Sequence, residues 1–451
     1  MAHSPYLPNT EADREAMLRE IGVSSVEDLF SDIPAEVRFR GRMKLPEPLS
    51  EPELVSHMKR LAARNADASS WTIFLGGGSY DHFIPSVVGH VLSRSEFYTA
   101  YTPYQPEVSQ GVLQSIYEYQ SLICRLTGMD VSNASMYDGA SAMAEAALIA
   151  CAATRRAKVV VGATVNPEYR QTLATYARGP KVQIVVAPYD PATGQTDLGA
   201  LEKLVDTETA AVLLSHPNFF GCLEKPEAAA KLAHDKGALF VVAVDPISLG
   251  ILKPPGEYGA DVCLGEGQPL GNPMSFGGPY LGFLATRESL VRRMPGRIAG
   301  ATVDRDGDRG FVLTLQTREQ HIRREKASSN ICSNEALNAL AACVYLSTMG
   351  KQGLVEVAKL CLAKAHYARD RIAAIPGYKA RFSGPFFKEF VVEGPGSLAQ
   401  INAKLAGRRM LVGPDLGTGY PELKGCFLVA VTEKRTKAEI DGLAAGLGGG
   451  A

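Results

Sequence analysis

The chain has 451 residues, 46% apolar and 21% charged, enough to bury a large core and too apolar to be a disordered chain. Its 47 Lys and Arg against 48 Asp and Glu give a net charge of −1, without the basic field that a nucleic acid or a membrane surface would select. Apolar runs such as Ala238 to Val244, of seven residues, fall far short of the ~20 that a bilayer span needs.

The N-terminus has neither a basic start nor an apolar core segment, so neither a secretory signal nor a transit peptide is expected. Eight cysteines with no CxxC pair point to reduced, mostly buried thiols in a cytoplasmic protein and to no metal site.

Thr10 is placed to cap a helix running to about Arg19 and ending near Gly22. Ser50 with Glu53 forms a second capping signal, with Pro52 in the first turn, for a helix to about Arg64. Residues 1–65 are therefore expected as an N-terminal helical extension. From Trp71 short apolar runs alternate with helical stretches. The expected strands are Thr72–Leu75, Lys158–Val161, Val182–Ala187, Ala211–Ser215, Leu239–Asp245, Ala260–Leu264 and Tyr280–Ala285. Helices are expected over Ala140–Arg155, Pro167–Arg178, Leu198–Val205, Pro226–Asp235 and Arg287–Met294. Such alternation means a mostly parallel sheet covered by helices, the α/β class, over residues 66–325. Beyond it, helices Asn334–Met349 and Leu354–Ala373 lead to strands near Lys388–Val392, Met410–Val412 and Phe427–Val431, with helices Ser397–Ala406 and Lys437–Leu447. Residues 326–451 read as a smaller α+β domain with a glycine-rich, frayed tail from Gly446.

Three segments carry unusual chemistry. In Gly76-Gly77-Gly78-Ser79 the glycines expose backbone N–H groups that suit an anion, and Ser79 is placed to cap a following helix. The stretch Tyr98 to Pro106 concentrates three tyrosines, Tyr101 and Tyr104 among them, on a proline-stiffened loop. The run Thr317 to Lys326 opens with a capping box, Thr317 to Gln320, pairs Glu319 with Arg323 four residues on, and holds His321 and Arg324. The bland alternatives are a tight turn, a packed loop and a solvated helix face.

Asp245 ends the most hydrophobic strand, where α/β enzymes place ligand contacts. In pyridoxal phosphate enzymes of the aminotransferase type such an aspartate holds the pyridine nitrogen, and a lysine some tens of residues later forms the Schiff base. Between Lys253 and Lys326 there is no lysine at all, so that bond has no amine.

Four stretches converge on one family: Gln316–Cys332, Phe97–Ser121, Leu75–Pro85 and Met136–Glu145. Through them the chain resembles the glycine-cleavage P-protein, and within it the separate N-terminal subunit of the two-chain form. The resemblance implies a fold-type-I pyridoxal phosphate architecture and a heterotetramer. Its C-terminal-type partner would carry the cofactor lysine and bind pyridoxal phosphate. Gln268 then stands at about the lysine position, Asp245 is a relic of the pyridine site, and Tyr137 to Ser141 occupies the phosphate loop. No Schiff-base residue and no cofactor-binding residue are expected here. The implied reaction decarboxylates glycine and passes an aminomethyl group to the lipoyl group of the H-protein. Tyr101, Tyr104, Gly77, Gly78, Ser79, His321, Arg323 and Arg324 are then candidates to line the interface or substrate. Two alternatives stand beside this: a self-sufficient enzyme using Lys253 or Lys326, and a non-catalytic scaffold or carrier-binding protein.

Overall fold

Capping chemistry decides where the first helices start. Thr10 Oγ1 accepts the Asp13 N–H (3.2 Å) and Asp13 returns the bond to the Thr10 N–H (2.8 Å), opening helix Glu11–Ile21, which Gly22 closes at φ 84°. Ser50 and Glu53 do the same for helix Glu51–Ala62. The computed structural model describes residues 6–331 and 333–449; Cys332 and the end of the expected tail lie outside the described residues. Contacts divide the chain into two units, Met1–Asn65 and Ala66–Ala451. In the first unit no residue from 6 to 65 is buried, and Val37 (70% exposed) and Phe39 (69%) are among many apolar side chains in the open.

In the second unit the strands are β1 Thr72–Leu75, β2 Val131–Ser132, β3 Lys158–Gly162, β4 Gln183–Ala187, β5 Thr209–Ser215, β6 Leu239–Ala243, β7 Val262–Glu266 and β8 Gly282–Thr286, then β9 Ile298–Val303, β10 Arg309–Thr314, β11 Lys379–Ala380, β12 Glu389–Glu393, β13 Met410–Gly413 and β14 Cys426–Ala430. Seven form one sheet in the order β2-β8-β7-β6-β5-β3-β4. From β7 to β4 the strands are parallel; β8 runs antiparallel to both of its neighbours, β7 and β2.

Alternate residues leave opposite faces of this sheet. Val160, Val212, Phe240 and Val242 pack with helices Gln110–Thr127, Pro226–Asp235 and Ala336–Ala373. Val159, Val161, Leu213 and Val241 pack against the alanine-rich helix Gly139–Thr154. Burial on both faces explains the unbroken apolar strands. A third core joins Phe74, Phe390, Val412, Phe427 and Ile440 in the C-terminal layer.

Several expectations change. Thr72–Leu75 does not join the large sheet; it pairs with β13 in the C-terminal layer. The two expected late helices are present as the two arms of Ala336–Ala373, which breaks at Gly350 (φ 61°, ψ −175°), within the expected gap. Arg287–Met294 is a short 3-10 turn, Glu288–Arg293. Helix Gln110–Thr127 and the β9–β10 hairpin were not anticipated. The seven described cysteines are free, five of them buried, and no helix of the described residues is long and apolar enough to cross a membrane.

Candidate functional site

The C-terminal ends of β5, β6 and β7 open onto a cavity of about 80 Å3 whose lining includes Gly77, Tyr80, Tyr169, Asp245, Glu266 and Glu389. This is where an open parallel sheet places its ligands.

Against two of these residues, Asp245 and Tyr80, lies a buried lysine. Lys388 Nζ sits 2.6 Å from Asp245 Oδ2, 2.9 Å from His82 Nε2 and 3.7 Å above the Tyr80 ring centroid. An ammonium has no lone pair to offer, so His82 Nε2 must accept, and its Nδ1–H donates to Glu433 Oε2 at 2.7 Å. His82 is therefore neutral, which agrees with a pKa lowered by burial and by the Lys388 charge. Burial acts to raise the Glu433 pKa, but hydrogen bonds from His82 and the Phe83 N–H hold it well below its ordinary value. Cys361 Sγ donates to the same Glu433 oxygen at 3.5 Å. His82, Cys361 and Glu433 bring three ligand-type atoms within 4.8 Å, yet they are spent on one another.

Gln268 is equally committed. Its Oε1 accepts the Tyr80 N–H (2.9 Å), and its Nε2 donates to the Tyr80 carbonyl (3.0 Å) and the Asn272 carbonyl (2.7 Å). The carboxamide clamps the glycine-rich loop to the segment after β7. Asp81 anchors the same loop at its far end through Lys434 (2.6 Å) and Arg435 (2.9 Å).

Both N–H cradles of the pocket hold internal carboxylates. The Gly77 N–H meets Glu389 Oε1 and Oε2 at 3.1 Å each. At the N-terminus of helix Gly139–Thr154, Glu266 Oε2 accepts the Gly139 N–H (3.1 Å) while Oε1 accepts from Gln268 N and Leu281 N (3.0 Å each). Desolvation raises Glu266 and Glu389 to about 7, against the pull of these hydrogen bonds. Ser79 caps no helix: its hydroxyl lies 2.9 Å from the Tyr280 phenol, and the next helix starts at Ser86 behind Pro85. Gly78 lines the cavity at φ 122°.

The remaining candidates form a second group. Tyr104 accepts a hydrogen bond from Arg297 Nη2 (2.9 Å), and its ring meets His321 edge-on with centroids 6.0 Å apart. Beneath them Arg297 is buried, its Nε 3.7 Å from Glu319 Oε2, and the same oxygen lies 3.5 Å from His321 Nδ1. The expected Thr317 capping box is absent, because the short helix starts later, Gln320–Arg323, with Glu319 at its N-cap position and no side-chain cap bond. Burial under Arg297 also removes Glu319 from an ion pair with Arg323, whose Nε donates to the Thr317 carbonyl (3.1 Å). Arg323 and Arg324 are exposed, and Tyr101 is 83% exposed beside a separate cavity of about 230 Å3.

Lys388, Glu389, Glu266, Tyr80 and Arg297 escaped the sequence reading. The signal for the first two was a Lys-Glu pair inside the apolar run Phe386 to Val392. Lys253 pairs at the surface with Glu227 (3.4 Å) and Lys326 is exposed, so neither lines the Asp245 cavity. Pyridoxal phosphate does not fit the residues of this pocket. Gln268, expected from the resemblance near the lysine position, is a tethered carboxamide that offers no amine, and Lys388 already occupies Asp245, the aspartate expected at the pyridine nitrogen.

Comparison with known proteins gives the same frame. The profile of the glycine cleavage system P-protein matches residues 4–447. A probable glycine dehydrogenase (decarboxylating) subunit 1 of Carboxydothermus hydrogenoformans is 59% identical, covering 98% of this chain and 99% of that one. The chain of the same description from Geobacillus kaustophilus is 54% identical over 99% of each. A crystal structure of glycine decarboxylase (P-protein) in inhibitor-bound form superposes with a TM-score of 0.90 at 44% identity, covering 99% of this chain and all of that one. A sphingosine-1-phosphate lyase of Burkholderia pseudomallei shares the fold at a TM-score of 0.65, 15% identity and 92% and 94% coverage. The architecture is that of the fold-type-I enzymes, and the chain belongs to the glycine cleavage system P-protein family.

Proposed function

We propose that this chain is the lysine-less subunit of a two-chain glycine decarboxylase. Its partner is a second, C-terminal-type P-protein chain that carries the cofactor lysine. The complex takes glycine to CO2 and passes the aminomethyl group to the lipoyl group of an H-protein, in the cytoplasm. Pyridoxal phosphate on the partner supplies the electron sink for loss of the carboxylate. What supports this reading is the absence of any lysine between Lys253 and Lys326, where the resemblance expects the cofactor amine; at about that place stands Gln268, an uncharged carboxamide held in hydrogen bonds.

This chain's own share is positional. Arg297 and Glu319 hold the Tyr104 phenol and the His321 imidazole side by side at the surface, with Tyr101 on the same loop as Tyr104. We assign that rim to the wall of the partner's site and Arg323 and Arg324 to contact with the acidic carrier. The large domain to residue 325 and the small one from 326 are read as one scaffold for it. The scaffold-only alternative is not favoured, since the close full-length relatives carry the name of an enzyme subunit.

The test is lipoyl-dependent glycine decarboxylation by each chain alone and by the co-purified pair. Activity confined to the pair is expected. Turnover by this chain alone, or an inactive pair, overturns the reading.

A further inference from the structure

Three features of the Asp245 pocket bear on one question: why this chain would leave pyridoxal phosphate to its partner. The first is the glutamine at 268. The second is the Lys388 ammonium, 2.6 Å from the Asp245 carboxylate. The third is at the start of helix Gly139–Thr154. There the Gly139 N–H is taken by Glu266 (3.1 Å), and a Cβ on Gly139 would stand 2.1 Å from the Tyr169 hydroxyl oxygen. A helix N-terminus suits a phosphate only while its N–H groups are free and approachable.

We propose that Lys388 is a built-in cation that stands in for a bound pyridinium: it neutralises Asp245, bars pyridoxal phosphate from this pocket, and ties the C-terminal layer to the sheet without it. Asp245 lies two residues beyond the end of the sheet strand β6, whereas Lys388 directly precedes β12 of the C-terminal layer. Their bond therefore spans two layers. The amine is also matched on its other sides, by the neutral His82 ring and the Tyr80 face. A pyridinium arriving at Asp245 would leave this ammonium enclosed and unpaired, which is costlier than breaking a surface pair. On this view Gln268 removes the covalent bond and Lys388 removes the non-covalent site. The two substitutions act independently.

Independence gives the test. The two-chain complex carrying Q268K, and that carrying Q268K/K388M, is incubated with excess pyridoxal phosphate, reduced with borohydride and digested. Labelling at position 268 is read by peptide mass spectrometry. Q268K alone is expected to stay nearly unlabelled, and the double variant to gain labelling by about tenfold or more. Equal labelling of the two overturns the proposal, as does a folded double variant that stays unlabelled. Should K388M prevent folding, pyridoxamine phosphate, which needs no lysine, is titrated by calorimetry into the wild-type complex with the partner's site already filled. No further saturable site is expected; a second one removed by D245N overturns the proposal. Both readouts are independent of glycine turnover, so their failure is distinct from failure of the proposed reaction.

Discussion

Lys388 and Asp245, 143 positions apart in the chain, meet at 2.6 Å with side chains 2% and 13% exposed. Such a pair is costly to break from one side, because the survivor keeps its charge in a poorly solvated place. Lys388→Met is expected to lower stability by about 3–5 kcal/mol, and Asp245→Asn/Lys388→Met to recover part of it. Urea unfolding of the four members of that cycle measures the coupling. Additive losses would mean that the two groups do not act as a pair.

Gln268 gives a gentler outcome. Gln268→Ala removes the acceptor of the Tyr80 N–H and the donor to two carbonyls. A loss of about 1–3 kcal/mol is expected, with faster hydrogen exchange at the Tyr80 amide than elsewhere in the large sheet. Unchanged exchange there would detach Gln268 from the loop.

The raised carboxylates set a pH dependence. Glu389 titrates near 7 when folded, against an ordinary value of 4.5, because burial disfavours its charge. A pKa raised by folding contributes stability that is complete below about 4.5 and is lost as pH rises through about 7. Glu389→Gln cannot titrate and still offers an oxygen to Gly77. Relative to wild type it is expected to gain on the order of 2 kcal/mol between pH 5 and pH 8.5. Unfolding free energies at both pH values give the difference, and groups common to both proteins, such as His216 lowered to about 4, cancel in it. A parallel pair of pH curves would refute the assignment.

At the rim, Tyr104→Phe takes the only hydrogen-bond partner that the described structure gives the buried Arg297 guanidinium. The complex is expected to assemble normally but to lose about tenfold in kcat of glycine decarboxylation, with Arg297→Lys partly retaining it and Arg297→Met not. Size-exclusion chromatography and steady-state kinetics separate assembly from turnover. Wild-type kcat in Tyr104→Phe would remove the phenol from the site.

Gly221 offers a purely steric check. At φ 82° it passes the β12 backbone so closely that a Cβ would lie 1.7 Å from the Glu389 carbonyl oxygen. Gly221→Ala must push apart the strand that carries Lys388 and Glu389, so poor recovery of soluble protein is expected. A normal yield and melting temperature would show that the loop can yield.

Much of this architecture was legible because it depends on local rules. Period, capping residues and uninterrupted apolar strands located most strands of the main sheet and the helices opened by Thr10, Ser50 and Asn166. Thr72–Leu75 was misassigned because a four-residue strand does not state its partner, and β13 lies over 300 positions away. The glycine-rich loop was recognised as an anion cradle, but local pattern cannot reveal that the anion is Glu389 of the same chain. Lys388 was hidden for the same reason. A lysine before an apolar strand reads as a solvated end unless its carboxylate, fixed elsewhere by the fold, is known.

The N-terminal unit has a cost inside a cell. With Phe39, Val37, Met43 and Leu45 all at least two-thirds exposed and nothing buried among residues 6–65, this stretch is sticky from the moment it leaves the ribosome. Synthesis in excess of whatever covers that surface would recruit chaperones or precipitate. Balanced production, rather than regulated turnover alone, would then govern how much usable protein a cell keeps.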